Sequence, residues 1–321
     1  MHHIGSVLSR QGFAGRRVVL AVPAAKVLSG VLELPPRASG APLEQLARIE
    51  LSRIYGYDPD QAEMFCWDLP PSPRAKEASL IYAVACRHEE AEPLLDLLAG
   101  GRLHAEALDS PAHALVRACR RVLSGGGITG ILDLGWDRTL LCLHFMEEII
   151  YLRVLPEFGI GRLAGQVADR LSLDAEAVDC LLTDVGLGGG PAEPGRSEAP
   201  HPDSSPRKSQ PAARAFAPAD DVIRSFLQDL VGELKAPLSY AGHQYPGVPL
   251  ETIALTGFGA SVPHLAGELG SRLEMRVRTV TPRDVVAAPE SMRNLAGDPS
   301  LMLAIGLAMF DSARPRVGAT A

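Results

Sequence analysis

Two sharp turns on glycine, each directly after an apolar strand, constrain this chain of 321 residues more than any other feature. The first turn follows the sequence ILDL at residues 131–134, and the second follows IALT at residues 253–256. Glycine lets the backbone turn without a Cβ clash, and the amides freed at such turns commonly hold phosphate groups. The two turns therefore predict a fold of two domains around a nucleotide site.

Composition limits the class of protein. A hydrophobic content of 46% suffices for two domains of ordinary size, and the net charge of −7 argues against a nucleic-acid partner. The five cysteines contain no close pair, which favours free core thiols in a reducing compartment over a zinc site or a disulfide framework. The best apolar run, residues 301–310, is about half the length of a membrane-spanning helix, so no span is expected.

Strands and helices alternate along the chain, as in α/β proteins. In the first third we predict strands at 17–22, 27–34, 64–69, 79–85 and 103–107 and helices at 43–54, 88–98 and 109–123. Next come a long hairpin of strands 131–145 and 149–155 and helices at 158–171 and 175–182. The rest is predicted as helices 222–234 and 263–273, strands 252–255 and 275–280, and a final helix from 299 or 300 to 310. This last helix is apolar nearly all round and is expected to be buried.

Residues 188–218 interrupt this pattern. Seven of them are proline, and Phe216 is their one large hydrophobic residue. Such a segment cannot bury enough surface to offset the entropy of ordering it. We predict a disordered surface insertion, with a docking tail or a phosphorylation site as the alternative.

Five stretches in collinear order carry a resemblance to a known family. They are RVVLAVP at 17–23, LELPP at 32–36, DLG at 133–135, YPG at 245–247 followed by TIALTG at 252–257, and AIGLA at 304–308. Together they resemble the type IV pilus assembly protein PilM family, which is related to FtsA and actin. The resemblance covers nearly the whole chain after about residue 15.

The resemblance implies an α/β, actin-like fold of two RNase H-like halves around a nucleotide cleft, with a small α/β subdomain inserted in the first half. On this basis 1–15 is a weakly ordered N-terminus, 16–108 the inserted, peptide-binding type of subdomain, and 109–128 a linking helix. The second half comprises 129–187 and 219–282, separated by the insertion, and 283–321 returns to the first half.

The family opens with a hairpin that carries its first phosphate loop, and we expect this hairpin to be missing here. Residues 1–15 contain no aspartate and no buried strand. Either the natural start lies upstream or this half of the site has been lost. Sheet edges left unpaired would then be open to another protomer or a partner.

The resemblance also assigns nucleotide-binding residues. These are Asp133, Gly135 and Thr139 in the second phosphate loop, Gly257 and Gly259 in the third, and Glu233 near the ribose. Asp133 would hold Mg²⁺ through water. Glu233 and Lys235 have the alternative interpretation of a solvated charge pair.

Three residues depart from the family pattern. Trp136 and Asp137 stand where small polar residues are usual, and Phe258 replaces a glycine. A second carboxylate beside phosphate would be repulsive, by about 1 kcal/mol even in water. ATP and Mg²⁺ are therefore expected to bind weakly or not at all.

The predicted function is that of a cytoplasmic scaffold in a type IV pilus inner-membrane complex. Its expected partner is the cytosolic N-terminal peptide of a PilN-like bitopic membrane protein, which would hold it at the membrane periphery, and self-association is a further option. An active ATPase of the actin superfamily, a small-molecule kinase of the same fold and the cytoplasmic domain of a type II secretion platform protein are alternatives. Candidate groove residues are Tyr55, Tyr57, Phe65 and Trp67, although Phe65 and Trp67 could instead pack on a core.

Overall fold

A computed structural model describes residues 3–73, 78–123, 125–187 and 212–310 and places their strands in three sheets. The elements up to Cys119 are α1 (His3–Arg10), β1 (Arg17–Ala21), β2 (Leu28–Leu34), α2 (Leu43–Tyr55), β3 (Ala62–Asp68), β4 (Ser79–Arg87), α3 (His88–Gly100), β5 (His104–Asp109) and α4 (Pro111–Cys119). Those that follow are β6 (Ile128–Leu134), β7 (Thr139–Phe145), β8 (Glu148–Leu155), α5 (Ile160–Leu171), α6 (Ala175–Cys180), α7 (Ala212–Gln244), β9 (Leu250–Thr256), α8 (Leu265–Leu273), β10 (Arg276–Thr279), α9 (Pro282–Val285) and α10 (Met302–Ala308).

The inserted subdomain is built on an antiparallel sheet in the order β2-β4-β3. Helix α2 lies against this sheet because Leu43, Ala47 and Leu51 recur every four residues and form one buried face. The helix ends at Gly56, whose φ of 69° is readily reached without a Cβ. Strands β1 and β5, which flank the subdomain in sequence, pair with each other in a separate parallel sheet.

The largest sheet has five strands in the order β10-β9-β6-β7-β8. Its central strand β6 is parallel to β9 and antiparallel to β7. Both faces of β6 are buried, which explains its nearly continuous apolar sequence. The prediction of one strand over 131–145 was wrong, because residues 135–138 form a turn in which the amide of Gly135 donates to the carbonyl of Arg138.

Helix α10 packs on α4 by one face. Met302 and Gly306 are buried, whereas Ala304 and Ala308 are exposed. The prediction that this helix is buried all round was therefore wrong. With seven residues the helix is too short to be enclosed, and its exposed positions are mostly small alanines.

The predicted disordered insertion, 188–218, lies outside the described residues as far as residue 211. Helix α7 begins at Ala212, ten residues before the predicted start at 222, and continues through Pro237 to Gln244. Within the described ranges, no helix combines the length and apolarity needed to span a membrane. The predicted domain boundaries stay a prediction.

A buried tryptophan joins the inserted subdomain to the largest sheet. The indole of Trp67 on β3 stacks on Tyr82 of β4, with ring centroids 5.0 Å apart. Its Nε1 donates a hydrogen bond of 3.0 Å to the carbonyl of Ile149 on β8. This polar end is satisfied inside the protein, so Trp67 connects two sheets without leaving an unpaired donor.

Candidate functional site

The two glycine turns lie side by side at one edge of the largest sheet. Asp133 and Thr256 are register partners near the ends of the parallel strands β6 and β9. The Thr256 hydroxyl donates to Asp133 Oδ1 over 2.9 Å. Gly257 follows with a φ of 81°, and a Cβ there would lie only 2.9 Å from the same oxygen. The structure thus brings Asp133 and Gly257 together, as the sequence predicted.

Burial sets the electrostatics of Asp133. Some of the side chain stays accessible, but the surrounding protein removes most of the carboxylate's water, and this desolvation raises its pKa. The hydrogen bond from Thr256 lowers the pKa and offsets only part of the rise. Burial also raises the pKa of the Cys119 thiol to about 12, with the negative charge of Asp133 as a second cause.

We expect Asp133→Asn to raise the melting temperature, with a gain that grows as the pH rises above the ordinary carboxyl pKa of 3.8. A raised folded-state pKa means that the wild type loses stability as pH rises from the ordinary carboxyl value of 3.8 through the folded value. Asparagine keeps an acceptor for Thr256 and has no charge to desolvate. Thermal unfolding followed by circular dichroism measures the effect, and Asp137→Asn in the exposed part of the turn is the control. A variant less stable than wild type, increasingly so at high pH, would contradict this reasoning.

The amides of the two turn glycines, Gly135 and Gly257, donate to protein carbonyls. That of Gly135 donates to Arg138 over 3.0 Å, and that of Gly257 donates to Pro299 over 3.1 Å. The first amides of α5, from Ile160 and Gly161, donate to the carbonyls of residues 135 and 136 over 2.9 and 2.8 Å. A phosphate group held at these turns would have to displace these bonds.

The remaining nucleotide candidates have structural contacts. The hydroxyl of Thr139 is buried and donates to the carbonyl of Phe158. Gly259 is buried and packs so closely on Leu134 that a Cβ there would overlap it. Glu233 forms an ion pair of 2.6 Å with Arg153 on β8, an edge strand separated from β6 by β7. The structure therefore places Gly135, Thr139, Gly257 and Gly259 near Asp133. Glu233 lies apart from them, on α7, where it pairs with Arg153 of β8.

These contacts make a poor fit for Mg-ATP. Oxyanion sites need free donors or cations, and the donors named above are already used. No group of three or more His, Cys, Asp or Glu side chains in the described part of the chain is arranged to hold a metal ion. The amides of Gly135 and Gly257 and the hydroxyl of Thr139 are thus engaged within the protein, and the assignment of a nucleotide site to these residues stays a prediction.

A second candidate site is a cleft of about 1200 Å³ between the inserted subdomain, β5 and α4. Its apolar lining includes Phe65, Val84, Ala107 and Val116. We call it the peptide-sized cleft, because its volume exceeds that of ordinary small-molecule pockets. Two ion pairs border it, Arg117 with Asp109 at 3.0 Å and Arg120 with Glu147 at 2.5 Å.

One hydroxyl in this cleft has no partner in the described structure. Ser110 occupies the N-cap position of α4, but its side chain makes no capping hydrogen bond. The Oγ atom is buried and unpaired. A buried unpaired hydroxyl costs about 1–3 kcal/mol, and a ligand group could supply its missing hydrogen bond once a small local shift exposes the oxygen to the cleft.

The four aromatic candidates for the groove have different positions. Phe65 lines the cleft, whereas Trp67 is buried beside it as described above. Tyr57 packs against the core of the inserted subdomain, and its hydroxyl is buried. Tyr55 is exposed and donates to the carbonyl of Ser29 over 2.7 Å.

Sequence reasoning missed three features of these sites. Thr256, which the sequence placed at the end of the strand before the glycine turn, is the hydrogen-bond partner of Asp133. Pro299, which holds the amide of Gly257, comes from the distant C-terminal segment. Ser110 belongs to the cleft. Of the three, only Thr256 could have been found from the sequence. It stands directly before a glycine turn at the end of a strand, and neighbouring parallel strands end at the same edge of a sheet.

Comparison with known proteins identifies a matching protein family and a solved structure of similar fold. A family model described as type IV pilus assembly protein PilM matches residues 1–185. The solved structure of a PilM-PilN type IV pilus biogenesis complex is similar at a TM-score of 0.70 and 23% identity, covering 95% of this chain and 82% of that chain. No curated protein matches at the significance required.

Two further solved structures are more distant. MreB5 of Spiroplasma citri bound to ADP has a TM-score of 0.45 and 12% identity, with 70% of this chain and 65% of that chain covered. The ethanolamine utilization protein EutJ from Carboxydothermus hydrogenoformans has a TM-score of 0.41 and 16% identity, with 67% and 60% covered. The likeness to the PilM-PilN structure confirms the predicted α/β, actin-like fold. The missing first hairpin stays a prediction.

Proposed function

Because the chain belongs to the type IV pilus assembly protein PilM family, we propose that it is a scaffold that binds a PilN-like membrane protein through the peptide-sized cleft. The observation that carries this proposal is the cleft itself, which combines apolar walls with the unpaired hydroxyl of Ser110. An extended peptide needs both features, since apolar pockets take its side chains and hydrogen bonds hold its backbone. The complex formed by the PilM of similar fold supports the choice of partner.

A scaffold of this kind requires no turnover of nucleotide. In our proposal nucleotide binding is weak or lost, since the amides of Gly135 and Gly257 donate to carbonyls within the protein. The protein would reach the cytoplasmic side of the inner membrane only through its partner. An active ATPase or a secretion platform domain remains the second candidate by family likeness, but no observed contact favours either one.

The test is a titration of the full chain with a fluorescein-labelled peptide that covers the cytosolic N-terminal segment of a PilN-like protein from the same organism. We expect saturable binding, and we expect Ser110→Ala to weaken it about five-fold, or roughly 1 kcal/mol for one lost hydrogen bond. Ser110 makes no side-chain bond in the free protein, so this substitution should leave the melting temperature unchanged or slightly higher.

Thr129→Val is the matched control. Thr129 carries another of the three buried side-chain hydroxyls that have no partner among the described residues, with Ser110 and Tyr57, and it lies on β6 outside the cleft. This variant should bind the peptide as the wild type does. If no peptide binds at any accessible concentration, the proposed function is wrong. If Ser110→Ala and the wild type bound the peptide equally, the Ser110 hydroxyl would not be part of the binding site, and the proposed function would stand without it.

A further inference from the structure

The last described residues of the chain lie in the wall of the peptide-sized cleft. Met309 and Phe310, directly after α10, both line it. Arg117 of α4 fixes this end in place, since its guanidinium donates to the carbonyl of Gly306 over 2.6 Å and lies 5.4 Å from the centre of the Phe310 ring. The residues that follow Phe310 therefore start from the cleft.

The segment that follows, residues 311–321, has the sequence DSARPRVGATA and lies outside the described residues. At about 3.3 Å per residue it can reach at most about 36 Å, enough to run through the cleft. Pro315 favours an extended backbone at Arg314, and Val317 is an apolar side chain among small ones. Its composition therefore suits an extended peptide ligand.

The elements around the cleft contribute charges of different sign. Three basic side chains come from α4 and the turn after it, Arg117, Arg120 and Arg121. The strands β3 and β5 contribute the acidic side chains of Glu63 and Glu106. Glu63 is 85% exposed and lies 3.3 Å from His88, and Glu106 pairs with the exposed Arg17. Because a carboxylate accepts several hydrogen bonds, a cationic ligand group can join both pairs.

The charges of residues 311–321 complement this arrangement. Asp311 comes directly after the Phe310 ring that Arg117 contacts, next to the basic side chains of α4. Arg314 and Arg316 follow Phe310 by four and six residues and extend to about 13 and 20 Å from it. An extended segment would thus place its acid beside α4 and direct its arginines toward the acidic strands.

We propose that residues 311–321 occupy the peptide-sized cleft of their own chain and compete with the partner's peptide. The inference rests on the proposed function, which supplies the identity of the competitor. A ligand tethered at its site has an effective concentration of about 1 mM. If this is about four times the segment's own dissociation constant, the cleft is open about one fifth of the time, and the partner's apparent dissociation constant rises about fivefold.

The double substitution Arg314→Glu and Arg316→Glu in the full chain should tighten binding of the labelled partner peptide about fivefold. It turns the attraction of the segment to Glu63 and Glu106 into repulsion, which releases the cleft. The peptide titration measures the affinity, and light scattering measures the mass of both proteins. A wild type that dimerises where the double variant does not would place the segment in the cleft of a second copy and contradict the proposal.

The double substitution Arg170→Glu and Arg276→Glu is the matched control. Both arginines are exposed and outside the lining of the cleft, and their reversal changes the net charge by the same amount. This variant should bind the partner peptide as the wild type does. Equal tightening in the two double variants, or none in the first, would overturn the inference.

A second measurement does not involve the partner. A synthetic peptide of residues 311–321 is titrated by calorimetry into the full chain that carries Arg314→Glu and Arg316→Glu. We expect a dissociation constant below about 1 mM, as the competition requires, and loss of binding when Ala107→Trp is added to fill the cleft. No binding, or binding unchanged by Ala107→Trp, would overturn the inference. If the partner peptide binds none of these proteins, the proposed function is wrong, and this titration still decides whether the segment binds the cleft.

Discussion

Gly306→Ala is expected to lower the free energy of unfolding by about 3 kcal/mol, the upper range for overpacking a close helix contact. Gly306 is the point at which α10 crosses α4. A methyl group there would overlap the backbone carbonyl of Ala114, which cannot rotate away as a side chain could. The same segment also supplies the carbonyl of Gly306 to Arg117 over 2.6 Å, so a shift of α10 would break that bond as well. Denaturant unfolding measures the change.

The matched control is Gly232→Ala in α7. A Cβ at this helical glycine would have nothing within 4 Å. Alanine should therefore stabilise the protein by about 0.5–1 kcal/mol through helix propensity alone. If both variants gave the same small stabilisation, the close contact between α10 and α4 would not exist as described.

Ala107→Trp is expected to weaken binding of the PilN-like peptide about 30-fold or more, on the order of 2 kcal/mol. Ala107 lies on β5 and lines the peptide-sized cleft. An indole at this position would occupy the volume that the peptide needs and add no unpaired charge. The labelled-peptide titration measures the affinity, and the melting temperature shows whether the fold is kept.

Ala105→Trp serves as the control for added bulk. Ala105 lies on the same strand, is exposed and does not line the cleft. This variant should keep wild-type affinity. Equal losses in the two variants would indicate that β5 tolerates no tryptophan, and unchanged affinity in both would place the peptide elsewhere.

The sequence predicted the meeting of Asp133 and Gly257 because the rule behind it is local. Asp133 lies near the end of the buried strand β6 and Gly257 directly follows β9, and two parallel neighbours bring their carboxyl ends to one edge of the sheet. The hydrogen-bond acceptor of the Gly257 amide was not predictable in the same way. Its acceptor is Pro299, a residue from a segment with no periodic pattern that would place it near the turn.

For the peptide-sized cleft, too, the strands and helices were predictable from the sequence, whereas the contacts between them were not. The strands and helices around it were predicted within a few residues, including the helix that begins at Pro111. Whether the Ser110 hydroxyl caps this helix or faces a cavity depends on how α4 packs against β5 and the inserted sheet. Such packing is decided by contacts between distant residues, which one sequence without relatives does not reveal.

The hydrogen bond between Trp67 and the carbonyl of Ile149 has a mechanical consequence. Tension applied to a segment seated in the cleft would reach β3 and then pass through this indole into β8, rather than dissipate at a loose hinge. Breaking that link would strand a donor in an apolar surrounding, which is costly. Together with the stacking of the indole on Tyr82, this bond therefore couples the two sheets at one point, through which a load on the cleft reaches the largest sheet.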